Sequence, residues 1–143
     1  MKIFFLLVVA LIIASGSAQN SKCGQNCLYA PAGCPSCPCG EKANQVDIAT
    51  WCKKHSWDQT CCNCIAKAES KGNANAVNYN VASKSYDIGL WQINTVNWGL
   101  CNDYKAPCDP QANLNCAIKV YNWGGKTWKL WSTAQKCGCT KTG

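Results

Sequence analysis

Apolar residues recur at helical spacing in several stretches of the chain, which predicts a domain that is mainly helical. A first short helix is predicted over residues 45–55, where the apolar positions are Val46, Ala49 and Cys52. Further along, Asp109 precedes a proline, and this pair is typical of a helix start. The apolar stripe of the helix that follows consists of Leu114, Ala117, Ile118 and Tyr121.

Another helix is predicted between Asp58 and Gly72. Asp58 or Thr60 can accept hydrogen bonds from the free N–H groups of its first turn, and Gly72 supplies the stop. The predicted buried face consists of Cys61, Cys64, Ile65 and Ala68. Glu69 then falls on the last turn, where burial and the negative end of the helix dipole both raise the pKa of a carboxyl group.

Residues 73–94 are rich in Asn, Ser and Tyr and show a different pattern. Short runs at 77–80 and 86–88 flank a polar turn at 82–84, which is typical of a hairpin. We therefore expect a small antiparallel sheet that folds back over the end of the Glu69 helix, with Asp87 on a hydrogen-bonding surface. Together the helices and the sheet predict an α+β fold.

The N-terminal part of the chain has a different composition. An apolar run at residues 3–14 precedes small residues up to Ala18, so residues 1–18 are predicted to be a signal peptide. The run is too short to span a membrane, and we expect an exported protein without a membrane anchor. Residues 19–45 hold five Cys, three Pro and three Gly, which predicts an extension that is held together by disulfide bridges and has no core of its own. Residues 46–143 are the predicted folded domain.

All fourteen cysteines lie beyond residue 18, and an even number in an exported chain predicts a disulfide framework. The spacing leaves the connectivity open. The spacing of Cys34, Cys37 and Cys39 is compatible with a zinc site, but the oxidising export route favours disulfide bridges. His55 is the only histidine, so a catalytic triad or a histidine metal site has little support. We expect no metal and no cofactor.

The charge of the chain is strongly positive. All fourteen basic residues are Lys, and with seven acidic residues the formal net charge is +7. A basic surface would attract anionic polymers such as bacterial envelopes. Because the chain has no Arg and no dense basic run, nucleic acid is not an expected partner.

Glu69 and Asp87 are the candidate catalytic pair. A glutamate at the end of an apolar helix can stay protonated near neutral pH, while an aspartate on a polar strand stays ionised. Two carboxyl groups in unlike environments are what cleavage of a glycosidic bond requires. The alternative interpretation is that Glu69 is an ordinary surface residue and that Asp87 only caps a turn.

Five blocks of the sequence resemble those of animal-type (c-type) lysozymes and occur in the same order. They are Cys-Ile-Ala-Lys-Ala-Glu-Ser at 64–70, Asn-Tyr-Asn at 78–80, Asp-Ile-Gly-Leu-Trp-Gln-Ile-Asn at 87–94, Asn-Cys-Ala-Ile-Lys-Val at 115–120 and Trp-Lys-Leu-Trp at 128–131. The resemblance covers roughly residues 47–139 and implies a disulfide-rich, lysozyme-like fold, with a small antiparallel sheet flanking a cleft. The central blocks are also similar to bacterial lytic transglycosylases.

The resemblance implies roles for individual residues. Glu69 matches the general acid, and Asp87 matches the second carboxylate. Substrate-binding roles are implied for Asn78, Asn80, Gln92, Asn94, Trp98 and Trp128. A disulfide bridge is implied between Cys64 and Cys137.

The chain also departs from the family pattern. One extra residue lies between the two carboxylates, and Asn97 stands where many family members carry another indole. The spacing of Cys101, Cys108 and Cys116 is tighter, which leaves their bridges open. The extension at residues 19–45 has no counterpart in the family domain.

Three function classes remain open. The first is a monomeric secreted lysozyme, or one held in the lumen of a lysosome or phagosome, that hydrolyses β-1,4 bonds between N-acetylmuramic acid and N-acetylglucosamine in peptidoglycan. The second is a lytic transglycosylase that forms anhydro products. The third is a non-enzymatic carbohydrate-binding relative, against which the presence of Glu69 argues. Chitin-like polysaccharide is a further candidate substrate.

Overall fold

A computed structural model describes residues 37–143 of the protein, in which helices pack against one small sheet. The helices are α1 (Ile48–Cys52), α2 (Gln59–Ser70), α3 (Trp98–Cys101) and α4 (Pro110–Trp123). The strands are β1 (Val77–Asn80), β2 (Ser85–Ile88) and β3 (Ile93–Asn94). Two 3-10 turns lie at Thr95–Asn97 and Ser132–Ala134. The predicted α+β class is confirmed. The predicted signal peptide and most of the extension lie outside the described residues.

Helix α2 begins and ends where the sequence predicts. The side chain of Asp58 accepts a hydrogen bond from the Cys61 N–H at 2.7 Å, and Lys71 ends the helix in the left-handed conformation at φ 53°. The buried residues of the helix are Cys61, Cys62, Ile65, Ala66 and Ser70. The expectation that Cys64 and Ala68 are buried was wrong, because the buried stripe runs through positions 61–62, 65–66 and 70, and both residues lie beside it.

Helix α4 also starts at its predicted cap. The side chain of Asp109 accepts hydrogen bonds from the N–H groups of Gln111 and Ala112, both at 3.0 Å, and Pro110 occupies the first helical position. Leu114, Ala117 and Tyr121 of the predicted stripe are buried, while Ile118 packs at the edge of the core. Local capping therefore determines the start of this helix, and the periodicity of its apolar residues determines its buried face.

The three strands form an antiparallel sheet in the order β1-β2-β3. Val77 pairs with Ile88, and Ile88 pairs with Ile93, so these three apolar side chains share one face. All three are at most 2% exposed, which places that face of the sheet on the core. Because side chains alternate along a strand, the neighbouring positions point to the opposite face.

The core is dominated by aromatic rings and stapled by disulfides. Trp57 packs on Trp91 and Trp128 with ring centroids 5.7 and 4.7 Å apart, and Trp128 packs on Tyr121 and Trp131. Such rings bury large apolar areas in specific geometries. The bridges that join two cysteines of residues 38–143 are Cys39–Cys108, Cys52–Cys62, Cys61–Cys139, Cys64–Cys137 and Cys101–Cys116. Within residues 37–143, no helix has the length and apolar character needed to cross a membrane.

Residues 37–45 belong to the predicted extension and are bound to the folded domain. The Asn44 N–H donates to Asn73 Oδ1 at 2.9 Å, and the Ala74 N–H donates to the Asn44 carbonyl at 2.7 Å. The Cys39–Cys108 bridge adds a covalent link. This segment therefore packs beside Asn73 and Ala74, which directly follow the C-terminal end of α2.

Candidate active site

The sheet register places Asp87 among three asparagines. Asp87 lies in the central strand, and its direct partners are Asn78 on β1 and Asn94 on β3. Asn80 lies two residues after Asn78 and therefore shares its face. The result is a polar face on the side of the sheet opposite the apolar core.

All three asparagine amides donate hydrogen bonds to the Asp87 carboxylate. The Nδ2 atoms of Asn78 and Asn80 lie 3.2 and 2.7 Å from Oδ2, and Nδ2 of Asn94 lies 2.8 Å from Oδ1. A carboxylate that accepts three N–H donors is held in one orientation, and the arrangement matches the acceptor-only capacity of its ionised form. The sheet thus presents a fixed negative charge.

Glu69 lies on the last turn of α2 and is half-buried. Burial raises the pKa of its carboxyl group above the ordinary value, a hydrogen bond from Thr133 opposes this, and the negative charge of Asp87 adds to the increase. The net direction is upward. Glu69 is therefore the member of the pair that is suited to carry a proton.

Thr133 is the hydrogen-bond partner of Glu69. Its hydroxyl donates to Glu69 Oε1 at 2.6 Å from the 3-10 turn Ser132–Ala134. The Cys64–Cys137 bridge ties the same segment to α2. The structure therefore contains the bridge that the resemblance implies, and this bridge fixes the segment that contacts Glu69.

An open cleft contains both carboxyl groups. It lies between the polar face of the sheet, the end of α2, and the segment that follows α4. The residues that line it are Glu69, Asp87, Gln92, Ile93, Asn94, Asn97, Val120, Leu130, Trp131 and Ser132. Glu69 and Asp87 are the titratable residues among them, so the cleft combines two carboxyl groups with amide and apolar side chains.

Gln92 and Asn94 line the cleft as the resemblance implies. Gln92 has a left-handed backbone at φ 48°, and its amide nitrogen donates to the carbonyls of Ala76 and Gly89 at 3.1 and 3.0 Å. These hydrogen bonds fix the β2–β3 connection against the residue that precedes β1. Asn78 and Asn80 do not line the cleft, and their amides are directed at Asp87.

The two indoles expected to hold sugar are located elsewhere. Trp128 is completely buried among Trp57, Tyr121 and Trp131, so the expectation of a sugar-binding ring there was wrong. Trp98 is only 8% exposed, and its Nε1 donates to the Ile93 carbonyl at 3.1 Å. It stacks on Tyr86, and both Tyr86 and its partner on β1, Tyr79, pack against the core.

Trp131 is the indole that lines the cleft. Its Nε1 donates to the Trp91 carbonyl at 2.9 Å, and the ring is 7% exposed, so it borders the cleft from the core. The sequence block Trp-Lys-Leu-Trp holds both indoles, and nothing in its chemistry separates the core ring from the cleft ring. Sequence reasoning missed Trp131 for this reason, and it also missed Thr133, Val120, Leu130 and Ser132, which no motif marks.

In the described part of the chain, no group of three or more His, Cys, Asp or Glu side chains is arranged to hold a metal ion. His55 packs edge-on against Trp57, with ring centroids 4.8 Å apart.

The chain is similar to proteins of known family. Residues 47–133 match the family model described as "Lysozyme like domain". Lysozyme C-3 of Sus scrofa is 34% identical, with 88% of this chain and 86% of the relative covered, and Lysozyme C-2 of Sus scrofa is 33% identical with the same coverage. The tracheal isozyme of lysozyme C from Bos taurus is 39% identical over 52% of this chain and 58% of the relative. No solved structure matches the chain significantly.

Proposed function

Because the chain belongs to the lysozyme-like domain family, we propose that it is a lysozyme-type glycoside hydrolase. We further propose that its substrate is bacterial peptidoglycan, cleaved at β-1,4 bonds between N-acetylmuramic acid and N-acetylglucosamine. The observation that carries the proposal is the contrast between Glu69, half-buried with a raised pKa, and Asp87, held by three amides in the same cleft.

Glu69 acts as the general acid in the proposed mechanism. Its proton moves to the bridging oxygen as the bond from that oxygen to the anomeric carbon breaks. Positive charge then develops on the sugar that keeps the anomeric carbon. Water later adds at this carbon, and the Glu69 carboxylate takes the proton that the water gives up. This division of roles is the one known for lysozymes.

Asp87 stabilises or traps the developing positive charge. The three amides keep its carboxylate fixed, so little reorganisation is needed when the charge forms. The asparagine network supports the hydrolase over the transglycosylase alternative, because a fixed second carboxylate is the feature that hydrolysis uses and transglycosylation does not require.

The cleft lining suits N-acetylated sugars. Leu130, which is 53% exposed, offers apolar surface to the C–H groups of a pyranose ring, while the side-chain amide of Asn97 and the side-chain carbonyl of Gln92 offer hydrogen bonds to hydroxyl and acetamido groups. The net charge of +7 would hold the protein on anionic bacterial surfaces. Export through the predicted signal peptide, to the outside or to a digestive compartment, would bring it to that substrate.

A turbidity assay on bacterial cells tests the proposal. Glu69→Gln keeps the side-chain shape but removes the acid, and we expect activity to fall at least about 100-fold. Glu41→Gln is the matched control, because Glu41 is the other glutamate of the chain and is exposed. Wild-type rates for Glu69→Gln would contradict the assignment. Mass spectrometry of digested peptidoglycan separates hydrolysis, which gives reducing ends, from transglycosylation, which gives anhydro ends.

A further inference from the structure

Thr133 makes the one hydrogen bond to the Glu69 carboxyl that occurs within residues 37–143. It joins Thr133 Oγ1 to Glu69 Oε1, whereas Oε2 has no such partner in that part of the chain. The two oxygens of the proposed acid are therefore not equivalent. One is anchored, and the other is free on a residue that lines the cleft.

We propose that Thr133 is a positioning residue that fixes Oε1 as the accepting oxygen and thereby assigns the transferable proton to Oε2. This inference rests on the proposed function. A neutral carboxyl group has one carbonyl-like oxygen, which accepts, and one O–H oxygen, which donates. When the threonine hydroxyl donates to Oε1, the acidic proton resides on Oε2 and remains available to the substrate. After proton transfer, the same bond stabilises the carboxylate.

The anchor is built on a rigid segment. The Thr133 carbonyl accepts from the Cys137 N–H at 3.1 Å, and Cys137 is bridged to Cys64 on α2. The neighbouring Ala134 is completely buried. Glu69 and Cys64 lie on the same helix, so the 3-10 turn is fixed to α2 through a covalent bond at one point and through the Glu69 hydrogen bond at another.

The charges around Glu69 are few. From the sheet, Asp87 faces it across the cleft and raises its pKa. On α2 and its C-cap, Lys67 and Lys71 are exposed. The other cleft neighbours, contributed by α4 and by the segment after it, are Val120, Leu130, Trp131 and Ser132, none of which is charged. A change at Thr133 therefore alters the hydrogen bond to Glu69 and leaves the charges in place.

The test compares Thr133→Val, which removes the hydroxyl at nearly constant volume, with Thr133→Ser, which keeps it. Thr140→Val is the matched control, because Thr140 is an exposed threonine in the same C-terminal segment. For Thr133→Val we expect kcat on peptidoglycan fragments to fall about tenfold to 100-fold, since the acid loses its orientation. We also expect the alkaline limb of the pH profile to move to higher pH. Thr133→Ser and Thr140→Val should match wild type.

A second measurement does not depend on activity. NMR titration of the Glu69 carboxyl carbon in the full chain should show a higher pKa in Thr133→Val than in wild type or Thr133→Ser. An unchanged or lower pKa would overturn the inference, because the hydroxyl would then not be donating to the carboxylate. If wild-type protein did not cleave peptidoglycan, the proposed function would fail, while this titration would still decide the role of Thr133. If Thr133→Val does not fold, the same titration of Thr133→Ala replaces it.

Discussion

The Nδ2 atom of Asn80 lies 2.7 Å from Oδ2 of Asp87, the shortest of the three amide contacts that hold this carboxylate. Asn80 sits on β1, two residues beyond the direct partner of Asp87, so the contact runs diagonally across the strand pair. All three strands of the sheet are thus joined at one negative charge. The contact links sheet register directly to the proposed chemistry.

Removal of the Asn80 amide should weaken catalysis. We expect Asn80→Ala to lower kcat about tenfold, the effect of losing one hydrogen bond to a charged group. Asn80→Asp should lower it further, because an oxygen would then face the Asp87 carboxylate. Asn122→Ala, at an exposed position on α4, is the control and should behave as wild type in the turbidity assay. Equal rates for all variants would show that Asp87 does not need this contact.

The raised pKa of Glu69 predicts a pH-dependent gain in stability for Glu69→Gln. Folding favours the protonated form, so this contribution to stability is fully present below the ordinary pKa of 4.5 and is lost as the pH rises through the raised value. Gln cannot ionise and avoids that loss. We expect Tm to rise by about 4 °C at pH 8 and little at pH 4.

Thermal unfolding followed by near-UV circular dichroism at the two pH values makes this measurement. Glu41→Gln should show no pH-dependent difference from wild type, because Glu41 is exposed. A Tm for Glu69→Gln that lay below wild type at pH 8 would mean that the ionised carboxylate is stabilised in the folded protein.

Two disulfides close loops of similar length. Removing each in turn therefore distinguishes a bridge that positions active-site residues from one that only stabilises the fold. Cys64–Cys137 spans 73 residues, and Cys39–Cys108 spans 69. Because the loops are similar, paired serine substitutions at either bridge should each destabilise the protein by about 2–5 kcal/mol. At temperatures well below Tm, only loss of Cys64–Cys137 should lower activity, by about tenfold, because it frees the segment that carries Trp131 and Thr133.

Chemical denaturation gives the two stabilities, and cell-wall turbidity at 20 °C gives the two activities. Parallel losses of activity in both double variants would show that the bridges contribute only to stability.

Asn113 is the buried polar residue that fixes α4 to the sheet. Its Nδ2 donates to the carbonyls of Ile88 and Pro107 at 2.8 and 3.0 Å, and its Oδ1 accepts from the Trp91 N–H at 3.1 Å. Asn113→Ala would leave these backbone groups buried without partners, so we expect a loss of about 2–4 kcal/mol in urea unfolding. Asn115→Ala, on the exposed side of the same helix, should cost under about 0.5 kcal/mol.

Local signals predicted α2 and α4 well, whereas α3 was not predicted and α1 is shorter than expected. Asp58 and Asp109 cap α2 and α4 as expected, because a cap depends on residues within one turn of itself. The end of α2, and with it the position of Glu69, followed from the same reasoning. The hairpin was predicted from the polar turn, and its register then explains why Asn78 pairs with Asp87.

Features that depend on distant parts of the chain were less predictable. Trp128 and Trp131 have identical side chains and both are buried, and only the three-dimensional packing decides that Trp131 also lines the cleft. Thr133 contacts a residue 64 positions away, and a lone hydroxyl has no periodicity that could mark it. The partner of Cys108 is Cys39, 69 positions earlier in the chain, and cysteine spacing alone does not pair them.

The Cys39–Cys108 bridge has a consequence for resistance to proteolytic clipping. Gly40 and Glu41 are exposed, so a digestive protease has access to the backbone there. A cut at this point would leave the N-terminal piece attached to the body of the protein through sulfur, while Asn44 keeps its bonds to Asn73 and Ala74. A nicked molecule would therefore migrate as two bands only after reduction, and its cleft would stay intact.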